Sequence, residues 1–433
     1  MFKRLIIILI LCMVLLPSFS FVATALDIAE SDAIGGYYLY SFDNEMILSH
    51  SNTKANIPAS STVKLMTALL VLESGISGDT VVYITTEMIN EVAGRFMGLK
   101  VGDRLTVSDL LYAMVNASFN DAAQALALTV SPSINEFILK MNERATELGM
   151  SSTRYFDFTG MSSLSYTTIA DIVKLSNALI QNDEFLSITS TKVYNMSEVA
   201  SCDYTKISNR STLLSKYKGF HNFNVGSTND NGDSAVTYFH NGKSSFLCIV
   251  MNAKSNDSKR TDNIAEAYTQ KLINHGLYDY SYKVLLKANE KIDSLPVKLS
   301  VSNNEVSIYI GEELKVYVSD DTDINDIVYH YYFYDDELEA PIKSGDEVGK
   351  LIASKNGKFL ASAPLIVMKD IKRNGFLFIM DSFKNYLLSA SFLIALVSFA
   401  ILIIYYRNYK RNMLKKMFSS YSLSAKRRNN KKY

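Results

Sequence analysis

An α/β domain, then a separate all-β domain, then one membrane-spanning helix is the architecture that the sequence predicts. Three observations carry it. Strand-like runs near residue 40 and again beyond residue 230 enclose a long, mainly helical stretch, so one sheet is closed by distant parts of the chain. From about residue 278 apolar and polar residues alternate with a strand period instead of a helical one. Residues 386–406 then form an apolar run without a charge, which at about 1.5 Å per residue just crosses a hydrocarbon core of ~30 Å.

The first domain is expected over residues 26–277. GYYLYSFDNEMILS (36–49) reads as two strands about a turn at Asp43-Asn44. PASSTVKLMTALLVLESG reads as a helix: Pro58 precedes it, serines open it, Leu65, Leu69 and Leu72 share a face, and Gly75 stops it. Further helices are expected over 107–115, 120–128, 133–148 and 168–180, strands over 234–239 and 245–251, and a helix over 263–275. In the second domain, 278–370, NEVSIYIG, ELKVYVS and DIVYHYYFY alternate, and KNGK at 355–358 is a hairpin turn. A sandwich serving as spacer or interaction surface is the expectation there, because it holds no catalytic constellation.

The ends of the chain carry addresses. Residues 1–25 join Lys3 and Arg4 to an apolar run and Ala23-Thr24-Ala25, the pattern of a secretory signal peptide cut after Ala25; an uncleaved anchor is the alternative. Residues 407–433 hold ten Lys or Arg and no acid, so this basic tail is expected in the cytoplasm and residues 26–384 outside it. With 44 bases and 44 acids in the whole chain, the remainder has 34 bases against 44 acids. Nucleic acid is therefore excluded as partner of the folded body.

Other familiar chemistries find no footing. Cys202 and Cys248 are the cysteines beyond the leader, and FLCIVMNA around Cys248 reads as a buried strand, hence a core thiol and not a disulfide. The five histidines are scattered without metal-ligand spacing. Gly242-Lys243-Ser244 lacks the upstream glycine of a phosphate loop, Thr237 standing there.

One constellation remains. Ser61 and Lys64, three apart, lie on one face of the predicted helix, with Ser61 at its N-terminus. Free backbone N–H groups there favour a developing oxyanion, and a partly buried lysine can take the serine proton. The same S-x-x-K spacing at Ser51–Lys54 has no helix behind it. Ser118 and Asn120 form S-x-N at the mouth of a helix; the pattern recurs at Ser133–Asn135 and Ser302–Asn304, where capping is its ordinary role. S-x-x-K followed by S-x-N and a later K-T-G is the order of serine-lysine acyl enzymes.

Beyond these short motifs, residues 30–370 resemble the serine D-alanyl-D-alanine carboxypeptidases, the low-molecular-weight penicillin-binding proteins. PASSTVKLMTALLVLE is similar to that family's nucleophile helix, and GLKVGDRLTVSDLLYAMVNASFNDAAQALA to the segment through its second box. MNERATELGMSSTRYFDFTGM, YTTIADIVKL and NRSTLL (209–214) match in order, as do the β domain and a C-terminal anchor. The resemblance implies a serine-lysine transpeptidase/β-lactamase-like fold, with helices around a mainly antiparallel sheet. It implies Ser61 as acylated nucleophile, Lys64 as base, Ser118 as proton relay, and Asn120 as holder of substrate and of the Lys64 ammonium. It further implies an oxyanion hole from the N–H groups of Ser61 and Ser227, a peptidoglycan stem peptide ending in D-Ala-D-Ala as substrate, β-lactams as inhibitors, and no cofactor.

The third box is where this chain departs. Asn224-Val225-Gly226-Ser227-Thr228, with Gly232 beyond, stands where the family has K-T-G-x-T. Asn224, Gly226, Ser227 and Thr228 are the expected substrate-binding residues; an alignment on His221 puts Phe223 at the glycine and needs an insertion. A charge-assisted hydrogen bond contributes about 1.5–3 kcal/mol, so losing one or two slows turnover by on the order of 10–10⁴-fold. Lys216, Lys218 and Arg210 are candidate replacement cations, and Phe119 is a bulky residue inside the second box. Two readings follow: a carboxypeptidase slowed by the altered box, or a catalytically inactive relative that binds wall peptide or a partner.

Overall fold

A computed structural model describes residues 32–228, 231–255, 263–301, 304–387 and 389–429; the expected signal peptide, 1–25, lies outside the described residues. The chain divides into two compact units, one up to Ser281 with Tyr317–Thr322, the other Tyr282–Val316 with Asp323–Tyr433.

In the first unit a five-stranded antiparallel sheet has the order β2-β1-β5-β4-β3, formed by β1 (Asp32–Ser41), β2 (Met46–Ser51), β3 (Phe220–Thr228), β4 (Gly232–His240) and β5 (Ser245–Ser255). The central pairing of β1 with β5, Leu39 opposite Cys248, joins segments some two hundred residues apart in the chain, as the sequence predicts. Side chains alternate across the sheet. Leu247, Ile249 and Met251 of β5 enter a core shared with helices α1 (Val63–Glu73), α2 (Val107–Ala117), α3 (Asn120–Val130), α4 (Ile134–Glu147), α5 (Ile169–Ile180) and α6 (Asp183–Ser190). Phe246, Cys248 and Val250 enter a second core under α7 (Ile264–Tyr278). Cys248 is the buried free thiol that its strand context predicts.

Strand β3 breaks this alternation, and the break sets the site. Asn224 faces Val236 and Asn222 faces Thr237, so Phe223 is an extra residue in β3. A bulge reverses which face each later side chain takes. Phe220 and Val225 consequently share the α7-side core although five residues apart. Phe223 points the other way, edge-on to Phe185 with ring centroids 4.8 Å apart, and Asn224 follows it towards α1. Val225 thus fills a core position, with Ile264 and Ala265 in the same cluster.

The second unit contains a six-stranded sheet in the order β8-β10-β11-β7-β6-β9, from β6 (Lys291–Lys298), β7 (Glu305–Ile310), β8 (Val328–Phe333), β9 (Leu338–Glu339), β10 (Glu347–Lys355) and β11 (Lys358–Val367). The hairpin predicted at 355–358 joins β10 to β11, with Lys355 opposite Lys358. Two helices follow, α8 (Gly375–Leu387) and α9 (Ala390–Asn429). Ala390–Lys416 of α9 is long and apolar enough to cross a membrane.

The burial of Val225 generates a test. Restoring the family residue by Val225→Thr puts a hydroxyl into an apolar core, which costs about 1–3 kcal/mol. The expected outcome is a lower urea midpoint at unchanged m value.

Candidate active site

The helix that carries Lys64 begins later than its sequence suggests. Ser60–Thr62 form a 3₁₀ turn, and the α-helix starts at Val63. The cause is Ser60, whose φ of +46° lies in the left-handed region, a strained conformation for a residue with a Cβ. Gly160 packs directly on this peptide: a Cβ there would stand 1.8 Å from the Ser60 carbonyl oxygen. Ser61, 7% exposed, is held in that turn.

Lys64 lies one turn on and is buried. Its Nζ donates to the Thr159 carbonyl at 2.6 Å. Burial is the largest influence on the amine and lowers its pKa from 10.5 to about 7; Asp157 pulls it up and the Arg210 charge pushes it further down. Asp157 also builds the acceptor. Its Oδ2 takes the N–H groups of Gly160 and Met161 at 2.6 and 2.8 Å and the Thr159 hydroxyl at 2.8 Å, while Oδ1 takes the Ser165 hydroxyl at 2.8 Å. The carboxylate folds 157–165 into a tight loop that presents Thr159 O to Lys64. Asp157, Thr159 and Gly160 are site residues that the sequence does not single out: an Asp two residues before Thr-Gly is a recognisable turn signal, but its target is distant in sequence.

Ser118 closes α2 with φ +59° and ψ +38°, a second left-handed non-glycine residue. Neither it nor Phe119 caps α3 through a side chain, so the plain capping role does not account for Ser118. Asn120 Nδ2 donates to Ala93 O at 2.6 Å, and its buried Oδ1 has no hydrogen-bond partner among the described residues. Asp121 fastens the adjoining loop by accepting from the N–H groups of Met97, Gly98 and Leu99. Phe119 is buried, with the Arg95 guanidinium 5.1 Å above its ring and Tyr204 against it.

The third box reaches Ser61. Asn224, 5% exposed, donates from Nδ2 to Ser61 Oγ at 3.1 Å. Gly226 lies against the same hydroxyl: a Cβ there would stand 1.7 Å from Ser61 Oγ. Ser227 is exposed and pairs with Asp233, and the Thr228 backbone pairs with Gly232. Helix α7 fixes this strand end, since Asn263 Nδ2 donates to Gly226 O at 3.2 Å and Asp233 accepts from Ile264 N at 2.6 Å. The fold therefore brings Ser61 and Asn224 into contact and sets Gly226 beside them. His221, the alternative basic residue, instead approaches Leu186 O at 3.0 Å on α6.

A profile described as D-alanyl-D-alanine carboxypeptidase matches residues 30–255, and one described as the C-terminal domain of penicillin-binding protein 5 matches residues 280–373. The D-alanyl-D-alanine carboxypeptidase DacF of Bacillus subtilis is 25% identical over 339 residues, covering 77% of this chain and 85% of that protein. Among solved structures, a DD-transpeptidase of Streptomyces K15 is 28% identical with a TM-score of 0.51, covering 57% of this chain and 98% of that one. Penicillin binding protein 5 from Haemophilus influenzae shares the fold at 22% identity and a TM-score of 0.55, over 81% of this chain and 100% of its own.

The contact of Gly226 with Ser61 Oγ predicts that Gly226→Ala turns the hydroxyl away from Asn224. Labelling of Ser61 by a fluorescent penicillin is expected to fall by at least ~100-fold, the scale of a 1 Å misplacement, with the melting temperature little changed.

Proposed function

The chain belongs to the D-alanyl-D-alanine carboxypeptidase family, and on that premise we propose that it is a serine-type carboxypeptidase acting through a Ser61 acyl-enzyme on peptidoglycan stem peptides. The observation that carries the reading is the buried Lys64 amine with its pKa near 7. Buried lysines with no chemical task are rare and costly.

The reaction runs as two acyl transfers. Neutral Lys64 has two N–H groups and a lone pair; one N–H goes to Thr159 O, leaving the lone pair for the Ser61 proton. Ser61 Oγ then bonds to the penultimate carbonyl carbon, and the negative charge gathers on the carbonyl oxygen between the N–H groups of Ser61 and Ser227. Collapse breaks the bond to the terminal D-alanine, whose amine leaves with the proton carried from Lys64 by Ser118. Water, giving its proton to the neutral Lys64 amine, cleaves the ester, and Ser61 Oγ leaves with that proton, restoring Ser61 and the neutral lysine. Asn120 Oδ1, unpaired among the described residues, serves as acceptor for a substrate N–H. The Asn224 amide donates to Oγ and stabilises the forming alkoxide, at about 0.5–1.5 kcal/mol for a neutral bond.

The α9 segment anchors the protein, with the basic tail of 407–433 in the cytoplasm and the first unit on the wall side. The catalytically inactive alternative draws on the missing lysine at 224; the retained, buried base argues against it.

Acylation by benzylpenicillin, followed as an intact-mass increase of the full-length protein in detergent, tests the reading: the adduct is expected with the wild type and not with Ser61→Ala. No adduct on folded wild-type protein would sink it. The base must be neutral, so the rate is expected to fall about tenfold per pH unit below pH ~7 and to level above it. Asn224→Leu, which deletes the donor to Oγ, is expected to slow acylation by about 3- to 10-fold.

A further inference from the structure

We infer that Arg95 is a positioning residue for Ser118: by gripping residues 117, 119 and 120, it fixes where the Ser118 hydroxyl stands for proton transfer to the leaving amine. The inference rests on the carboxypeptidase reading of the site and deepens it by naming what holds the relay in place.

Ser118 needs such a grip. It lies between α2 and α3 with φ +59° and ψ +38°, a left-handed conformation that a residue with a Cβ keeps only where its surroundings enforce it. The residue is buried, and its hydroxyl makes no hydrogen bond to any of the described residues. No side-chain bond anchors the hydroxyl, so its place depends on the backbone on either side.

Arg95 meets that backbone in three ways. Its Nε donates to Ala117 O at 2.9 Å. Its own carbonyl accepts from Asn120 N at 2.7 Å. Its guanidinium lies over the Phe119 ring, 5.1 Å from the centroid, in a cation–π contact. Both chain neighbours of Ser118, and Asn120 beyond them, are thus tied to one arginine. Phe119 has a part in this arrangement: its ring is the seat of the guanidinium, and Tyr204 packs on that ring with centroids 5.5 Å apart.

The segment that carries Arg95 is itself strapped along α3. Gln124 Nε2 donates to Glu87 O at 2.7 Å and to Asn90 O at 2.9 Å. Asn120 Nδ2 donates to Ala93 O at 2.6 Å, and the Asp121 carboxylate takes the N–H groups of Met97, Gly98 and Leu99. Gly94 is pressed onto the same box, since a Cβ there would stand 2.8 Å from Asn120 Nδ2. Arg95 therefore stands in a segment fastened before and after it. Its side chain is exposed, yet the contacts named here all run to the second box.

The leaving group separates this role from a structural one. When the tetrahedral adduct of an amide collapses, the C–N bond breaks and the amine takes one proton from Ser118, which accepts one from the Lys64 ammonium. A thioester adduct instead releases a thiolate, whose lower proton affinity lets it leave unprotonated. A displaced Ser118 hydroxyl slows the first cleavage and spares the second.

The experiment measures kcat/KM, which reports acylation, for full-length protein in detergent. One substrate is a stem pentapeptide ending in D-Ala-D-Ala; the other is its thioester analogue with thioglycolate in place of the last D-alanine. The rate of Ser61→Ala is subtracted from each. Arg95→Ala is expected to lower the amide value ~10- to 100-fold and the thioester value by less than ~3-fold. Phe119→Leu, which removes the seat and keeps an apolar side chain, is expected to repeat the pattern. Arg95→Lys, which can lie over the ring and donate to Ala117 O, recovers most of the amide rate. Ser118→Ala shows the same preference for the thioester, and adding Arg95→Ala to it shifts the preference no further. Equal loss on both substrates, an unchanged amide rate in folded Arg95→Ala, or a full further shift in the Ser118→Ala background would overturn the inference alone. Wild-type protein that turns over neither substrate faster than Ser61→Ala would overturn the carboxypeptidase reading, and the inference with it.

Discussion

Taking a lysine amine out of water and holding it against a backbone carbonyl is the constraint on which the site is organised. Lys64 is buried at the start of α1 with Nζ on Thr159 O. Burial alone favours the neutral amine, which gives the site a neutral lysine near neutral pH, one helical turn from Ser61 in the chain. The acceptor exists because Asp157 draws 159–161 into a tight loop, and the same loop lets Gly160 approach Ser60 closely enough to hold the strained turn before Ser61. One carboxylate therefore positions both members of the pair. Its charge pulls the lysine pKa upward while Arg210 pushes it downward, and the balance leaves the amine near 7.

The altered third box is less damaged than its letters suggest. The bulge at Phe223 divides the two substituted positions between the faces of the sheet. Val225 joins an apolar core, where a valine is at home. Asn224 keeps a donor on Ser61 Oγ. What is gone is a positive charge at 224; Arg210, tied at its backbone to α2 and flanked by residues bound to α7 and β3, still acts on Lys64 as a like charge.

Much of this was legible in the sequence where the signal is local. The apolar period of α1, the turn at 43–44 and the alternation of the later strands predicted the elements, and motif order singled out Ser61, Lys64, Ser118 and Asn120. The rest depends on contacts between distant segments. The 3₁₀ start before Val63 follows from Gly160 packing on Ser60, a hundred residues away. The facing of Asn224 and Val225 follows from one extra residue in a register that only the paired strand β4 defines. Arg210 could be named as a candidate cation, but its place beside both boxes needed α2, β3 and α7 to be in position.

Release of D-alanine from a stem pentapeptide tests whether Ser61 and Lys64 turn substrate over without a lysine at 224. Steady release by the full-length protein that disappears in Ser61→Ala is the expected result. Folded wild-type protein that releases no more D-alanine than Ser61→Ala would overturn catalysis here, and would leave a protein that binds wall peptide on a site that no longer turns over.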